Sequence, residues 1–360
     1  MDKKVRFETR ETDKIWFEDN NNDISSVIIG DLSSSGSFGQ IYKTSLDNTV
    51  IKKVEIKSNT GIMGILELFV LKNVKHKNLL SASLVSIRDY DTIFMLPKAL
   101  CNFCEIKPLN YEELDFWCWE ICQGILELHK RNILHGDIKP SNILLFELNG
   151  LRYPKICDFG MSVYLKSSEI KTKLYTPTYK PPEIWNNKVT LKSDIWAYGA
   201  TLYELYYKKK YIHTCNNENL YPKIIKSAYN NIKLEEKSQL INLLLNALNE
   251  NEEERYCIHD LILDDFFNKF SFTQEYIPEV KNIDLEEFEN TITNDQCVIN
   301  LGKYIFNKHR LICETFNNNV YISLAHKIIY NKSIYSHRGI SLQDKNFEIQ
   351  ILKQLNYNVI

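Results

Sequence analysis

His135-Gly136-Asp137-Ile138-Lys139-Pro140-Ser141-Asn142-Ile143-Leu144-Leu145 sets an acid, an ammonium and a metal-seeking amide on one short loop that runs into an apolar strand. Phosphoryl transfer asks for a carboxylate to orient and deprotonate an attacking hydroxyl, positive charge on the moving phosphate, and oxygen ligands for magnesium. Asp137, Lys139 and Asn142 can supply these in turn. Downstream, Asp158-Phe159-Gly160 follows Lys155-Ile156-Cys157 and offers a second carboxylate to the metal. Alone it would be a chance tripeptide. The order and separation of the two motifs give the signal its weight.

Around this loop the chain has 360 residues, enough for two domains and a large buried core. Lys plus Arg number 44 against 46 Asp plus Glu, a formal charge of −2, so no nucleic-acid or acidic-membrane surface is expected. No apolar run approaches the roughly 18 residues of a membrane span, and Met1 to Asn20 is too charged for a signal peptide. The expectation is a soluble, unexported protein of the cytoplasm or nucleus. The odd count of 9 cysteines favours reduced thiols over a disulfide framework. Cys101 and Cys104 form a CxxC with no second pair, so ordinary thiols are expected there rather than zinc ligands.

The catalytic-type loop and Asp158-Phe159-Gly160 together resemble the corresponding motifs of eukaryotic-type serine/threonine protein kinases. The resemblance implies an α+β, two-lobed fold over residues 27–270, with a β-rich lobe at 27–97 and a helical lobe at 98–270. Residues 1–26 read as a flexible or loosely docked lead-in. The family's glycine-rich loop corresponds to Ser34, Gly36, Ser37, Phe38 and Gly39, followed by Ile41; Ser34 stands where the first glycine usually is. Taken alone, such a Gly-x-x-Gly is more often a hairpin turn. Thr49-Val50-Ile51-Lys52 matches the strand lysine, and Glu67, on a predicted helix from Ile62 to Val74, matches its ion-pair partner. Gly61 and Gly64 weaken that helix, so it needs an outside brace.

Ile93-Phe94-Met95 predicts a buried strand and Leu96 to Lys98 a hinge where adenine would bond to backbone, with Met95 preferred over Phe94 as gatekeeper and Pro97 removing one amide donor. Leu114 to His129 predicts an apolar helix whose Trp117 and Trp119 are core. The family implies Asp137 as base, Lys139 on the phosphate, Lys52 and Glu67 as the activating pair, and Asn142 and Asp158 on the metal. The implied cofactors are ATP and Mg2+, with Mn2+ as an alternative. Gly136 replaces the usual arginine that gathers a phosphorylated activation segment, which argues against strict dependence on such a phosphate. Thr172 and Tyr175 are candidate acceptors there, beside Lys166, Lys171 and Lys173. Thr176 matches the threonine that contacts the catalytic aspartate and lysine in serine/threonine members, which favours Ser or Thr of a protein substrate. Asp194 matches the aspartate that braces the catalytic loop, and Glu183 and Arg255 match a buried pair of the helical lobe.

Residues 271–360 read as short amphipathic helices. The run Tyr321 to Ile329 and the final Glu348 to Val359 resemble helices of a first cyclin box, with Lys327 and Glu348 as the implied kinase-gripping charges; a generic helical appendage is the other reading. The first would let the chain carry its own activator, docked within one molecule or between two. Two rival functions stand beside phosphotransfer to protein: a pseudokinase or scaffold, kept open by Ser34 and Gly136, and an enzyme acting on a small-molecule hydroxyl.

Overall fold

The computed structural model describes residues 14–18, 24–36, 39–55, 61–87, 91–165, 170–171, 176–186, 188–213, 217, 220–234 and 238–271. Short runs of β-branched and aromatic residues between polar turns build the first lobe. Its strands are β1 (Lys14–Glu18), β2 (Ile24–Gly36), β3 (Gly39–Thr44) and β4 (Thr49–Glu55), then helix α1 (Gly61–Asn73), β5 (Leu84–Ile87) and β6 (Asp91–Pro97). They form one antiparallel sheet in the order β1-β2-β3-β4-β6-β5.

Within the stretch expected to be a loose lead-in, residues 14–18 and 24–26 are strand, while residues 1–13 and 19–23 lie outside the described residues. Lys14 pairs with Ile28 and Glu18 with Ile24, so regular structure begins well before Val27. Ile15-Trp16-Phe17 is a compact run of strong strand formers inside an otherwise polar stretch, and that run suffices for an edge strand.

The register of the sheet divides its two faces. Lys52 lies opposite Ile41 on one side and Phe94 on the other, while Ile51 lies opposite Tyr42 and Met95. Because side chains alternate across a strand, Ile41, Val50, Lys52, Phe94 and Leu96 share the face turned toward α1 and the cleft. Ile51, Ile93 and Met95 cluster with Val27, Ile29 and Tyr42 on the opposite face.

The second lobe is helical. It follows β7 (Cys101–Asn102) with α2 (Tyr111–His129), β8 (Ile133–Leu134), β9 (Ile143–Leu148), β10 (Leu151–Ile156), β11 (Val163–Tyr164), β12 (Ile170–Lys171) and β13 (Lys188–Val189). Then come α3 (Lys192–Tyr207), α4 (Tyr221–Lys233), α5 (Gln239–Ala247), α6 (Ile258–Ile262) and α7 (Asn268–Ser271). Asn110 caps α2 by accepting the Glu113 N–H at 2.9 Å, and Trp117, Ile121, Cys122, Ile125 and Leu128 disappear into the core. Trp119 is buried as well. Asn149 and Gly150, both at positive φ (52° and 79°), turn β9 into β10, the backbone sense that matches strand twist in a two-residue hairpin. Among the described residues no helix is long and apolar enough to cross a membrane.

Candidate active site

The loop before β9 is held in place from below by one buried carboxylate. Asp194, in the first turn of α3 and fully buried, accepts the His135 N–H at 2.8 Å and the Gly136 N–H at 2.9 Å, and lies 3.0 Å from His129 Nε2. Gly136 takes φ +79°, and a Cβ there would stand 2.7 Å from the Met161 carbonyl oxygen. Glycine relieves both the dihedral and the contact. His135 Nδ1 accepts the Asp137 N–H at 3.1 Å, which leaves Nε2 as the protonated nitrogen that donates to the Cys157 carbonyl at 3.1 Å. One imidazole thus ties the loop carrying Asp137 to the loop carrying Asp158. His135 heads the first motif, but nothing in its sequence position shows that its ring reaches the second one.

Around Asp137 the polar groups converge. Lys139 Nζ donates to Asp137 Oδ2 at 2.7 Å and to Thr176 Oγ1 at 2.9 Å, and the Thr176 hydroxyl donates to Asp137 Oδ1 at 2.5 Å. Asn142 Nδ2 donates to the Asp137 carbonyl at 2.9 Å and to its Oδ2 at 2.8 Å. That spends the amide nitrogen of Asn142 and leaves its side-chain oxygen as the group for a hard cation. The Cys157 N–H donates to the Asn142 carbonyl at 2.9 Å, which brings Asp158 alongside. An amide oxygen and a carboxylate on neighbouring segments are the donor chemistry that magnesium takes, so the residues present fit such an ion.

Lys52 connects this site to the first lobe. Its Nζ donates to Glu67 Oε1 at 2.5 Å and to Asp158 Oδ1 at 2.9 Å. Glu67 is 2% exposed, and burial pushes its carboxyl up against the pull of Lys52. Burial works against the Lys52 ammonium, but Glu67 and Asp158 outweigh it and raise its pKa. For Asp158 too, burial opposes the charge, and Lys52 beside it nonetheless holds the carboxyl below its ordinary range. Asp158 adopts φ +65°, an uncommon backbone state for a residue with a side chain.

Ser34 pairs with Ile41, and Gly36 with Gly39, at the end of the β2–β3 hairpin; Gly39 has φ +141°, and a Cβ there would meet the Lys53 carbonyl oxygen at 2.7 Å. Ser37 and Phe38 lie outside the described residues. Met95 is corrected as gatekeeper: it packs beside Ile51 on the outer face, and the inward position at the hinge belongs to Leu96. Pro97 pairs with Thr49 at the end of β6, and the Lys98 N–H is taken by the Asn48 carbonyl at 2.9 Å.

Glu183 and Arg255 form a buried bidentate pair at 2.8 and 2.9 Å, with the Ser193 hydroxyl donating to Glu183 Oε1 at 2.7 Å. Burial opposes the Glu183 charge, yet Arg255 keeps its carboxyl below the usual value. Tyr179, just after Thr176, donates to Glu204 Oε2 at 2.5 Å and accepts from Lys210 Nζ at 2.6 Å, a group no sequence motif announced. Cys101 and Cys104 are free thiols. Lys166, Thr172, Lys173, Tyr175, Lys327 and Glu348 lie outside the described residues.

The amino-acid sequence has relatives among known proteins. The family model described as "Protein kinase domain" matches residues 28–267. The chain is 35% identical over 168 residues to probable serine/threonine-protein kinase nek3 of Dictyostelium discoideum, covering 46% of this chain and 15% of that protein. It is 31% identical over 219 residues to serine/threonine-protein kinase Nek1 of Mus musculus, covering 56% of this chain and 18% of the relative. With the glycogen synthase kinase-3 homolog YGK3 of Saccharomyces cerevisiae it shares 26% identity over 292 residues, 72% of this chain and 70% of that one. The chain thus spans only a small share of the first two relatives. Matched by the family model over its two described lobes, the chain belongs to the protein kinase domain family.

Proposed function

We propose that this chain is a serine/threonine protein kinase that moves the γ-phosphoryl group of ATP to a hydroxyl of a protein substrate. The observation that carries the reading is the triangle of Asp137, Lys139 and Thr176, in which a threonine hydroxyl already donates to Asp137 at 2.5 Å while Lys139 stands 2.7 Å from the same carboxylate. An incoming serine or threonine hydroxyl donates to Asp137 in the same way. Its oxygen attacks the γ-phosphorus, the bond to the β–γ bridging oxygen breaks, and the proton passes to Asp137. Lys139 lies beside the transferring group, where its charge offsets that of the oxygens in flight. Lys52, oriented by Glu67, faces the nucleotide phosphates. Asn142 and Asp158 would hold a divalent cation, which neutralises phosphate charge when bound. Ile41, Val50 and Leu96 line the apolar side where adenine would lie.

A pseudokinase reading is disfavoured by the joint retention and convergence of Lys52, Glu67, Asp137, Asn142 and Asp158. Incubating the chain with radiolabelled ATP, a divalent cation and mixed protein substrates, beside an Asp137→Asn control, tests the proposal. Label on serine and threonine that vanishes in the control supports it, and equal label in both contradicts it.

The C-terminal residues add a regulatory reading. α1 carries Gly61 and Gly64 and no acidic residue in its first turn, so its own propensity contributes little to fixing Glu67. A cyclin-like segment bearing Lys327 and Glu348 would steady α1 by packing, in place of a phosphate gathered by the arginine that Gly136 replaces. Removing residues 275–360 tests this: activity should fall with the two lobes still folded, and unchanged activity would contradict it.

A further inference from the structure

Phe270 sets its ring 5.4 Å from Phe116 and 6.1 Å from Trp119 on α2, and Lys269 Nζ reaches Asp115 at 2.7 Å. The chain therefore leaves the two lobes beside the first half of α2. Lys77 stands over the same Phe116 ring at 5.8 Å and pairs with the buried Glu120. A row of cations continues from there. Lys155 Nζ donates to the main-chain carbonyls of Lys77 at 2.5 Å and Leu79 at 3.3 Å, and Lys75 Nζ to those of Leu71 and Ala82 at 3.5 and 3.3 Å. Lys130 and Arg131, just past the end of α2, act with Lys155 on His76, which lies in their midst.

Among the described residues, the carboxylates facing this row are Glu120 and Glu127, fewer than the five cations they meet. Burial pulls Lys155 down; Glu120 attracts its charge, and Lys77 and Lys75 repel it. Burial likewise pulls down Lys75, and it pulls down His76 against the attraction of Glu127, which pairs with Arg131, with Lys155, Lys130 and Arg131 adding repulsion. Mutually repelling cations partly withdrawn from water form a docking place for a polyanionic segment.

We propose that the acidic stretch Asp284-Leu285-Glu286-Glu287-Phe288-Glu289 of this same chain docks on the ridge formed by Lys75, Lys77, Lys130, Arg131 and Lys155. The occupant is chosen by position, reach and charge. The chain leaves next to Phe116, at one end of the ridge. The connection from Ser271 to Asp284 can extend roughly 40 Å, whereas α2 between Phe116 and Lys130 spans only about 21 Å. The stretch holds four carboxylates and no cation. Lys75 also touches the last turn of α1 through the Leu71 carbonyl, so docking here would brace the helix that presents Glu67. This deepens the reading that the C-terminal residues act on their own lobes and rests on it only for that functional consequence.

The test is zero-length carbodiimide coupling of the full chain at dilute concentration, with peptide mapping of the monomer band. The expected result is amide links from Glu286, Glu287 or Glu289 to Lys75, Lys77, Lys130 or Lys155. Links confined to a dimer band would assign the ridge to a second copy, and absence of such links would leave it to a separate anion; either overturns the proposal. A triple Glu286→Lys, Glu287→Lys, Glu289→Lys variant lies outside both lobes and should cut remaining links from Asp284 to the ridge by about tenfold; an unchanged Asp284 yield would also overturn it. Phosphotransfer is read separately. A chain that transfers phosphate without the links loses only the docking proposal, and a chain with the links but no transfer loses only the kinase activity.

Discussion

Lys52 Nζ and Glu67 Oε1 meet at 2.5 Å between a sheet and a helix, and the same ammonium reaches Asp158 at 2.9 Å. One cation therefore holds two carboxylates that would otherwise repel each other, Glu67 buried and Asp158 still 26% exposed at its side chain. Lys52→Met should cut phosphotransfer by about 10²-fold or more, because it removes a phosphate-facing charge and leaves Glu67 and Asp158 without their shared partner. Glu67→Gln keeps the shape and one hydrogen-bond acceptor and should lose less. Steady-state kinetics of the two variants checks the order; equal activity of Lys52→Met and wild type would contradict it.

Gly136 and Gly150 share φ +79° but differ in surroundings. A Cβ on Gly136 would stand 2.7 Å from the Met161 carbonyl oxygen, whereas one on Gly150 meets nothing within 4 Å. Gly136→Ala should destabilise the chain by about 1–3 kcal/mol and disturb the Asp194 bonds under Asp137. Gly150→Ala carries the dihedral cost alone, about 1 kcal/mol. Chemical denaturation of both variants measures the difference.

The Glu183–Arg255 pair predicts an acid limit. Arg255 holds Glu183 below its ordinary 4.5, so the folded state binds fewer protons there than the unfolded chain. That contribution is complete above the ordinary value and drains away as pH falls through the lower folded value. Asp158, depressed below its ordinary 3.8, acts in the same direction. The gap in melting temperature between wild type and Glu183→Gln, followed downward from pH 6, should therefore narrow below about pH 4.5. Glu183→Gln should start lower and fall less steeply with acid; a steeper fall would contradict the assignment.

Leu96 and Met95 are neighbours on β6 and face opposite sides of the sheet. Leu96→Phe should raise the KM for ATP by narrowing the apolar side of the cleft, while Met95→Ala should lower stability by about 2–5 kcal/mol with little change in KM. The reverse pattern would return the inward position to Met95.

That pair also shows where the amino-acid sequence stops being legible. Ile93-Phe94-Met95-Leu96 is an unbroken apolar run, and such a run does not say which residues face inward; only its pairing with Val50 and Lys52 decides it. Lys52, Glu67, Asp137, Asn142 and Asp158 stand out through their resemblance to the motifs of protein kinases, and the folded chain brings these side chains together. Asp194 was readable as a brace, yet its contact with His129 was not, since that contact depends on how α2 and α3 pack. The strand Lys14–Glu18 was hidden by the polar residues around it. The Tyr179–Glu204–Lys210 group joins distant positions with no local pattern.

In the proposed reaction Asp137 receives the hydroxyl proton. The direct measurement is the rate of γ-phosphoryl transfer to a serine/threonine substrate by wild type and by Asp137→Asn, at saturating ATP and divalent cation. Asp137→Asn should keep nucleotide affinity while the rate falls by about 10²–10⁴-fold. A variant that transfers phosphate at the wild-type rate would contradict it.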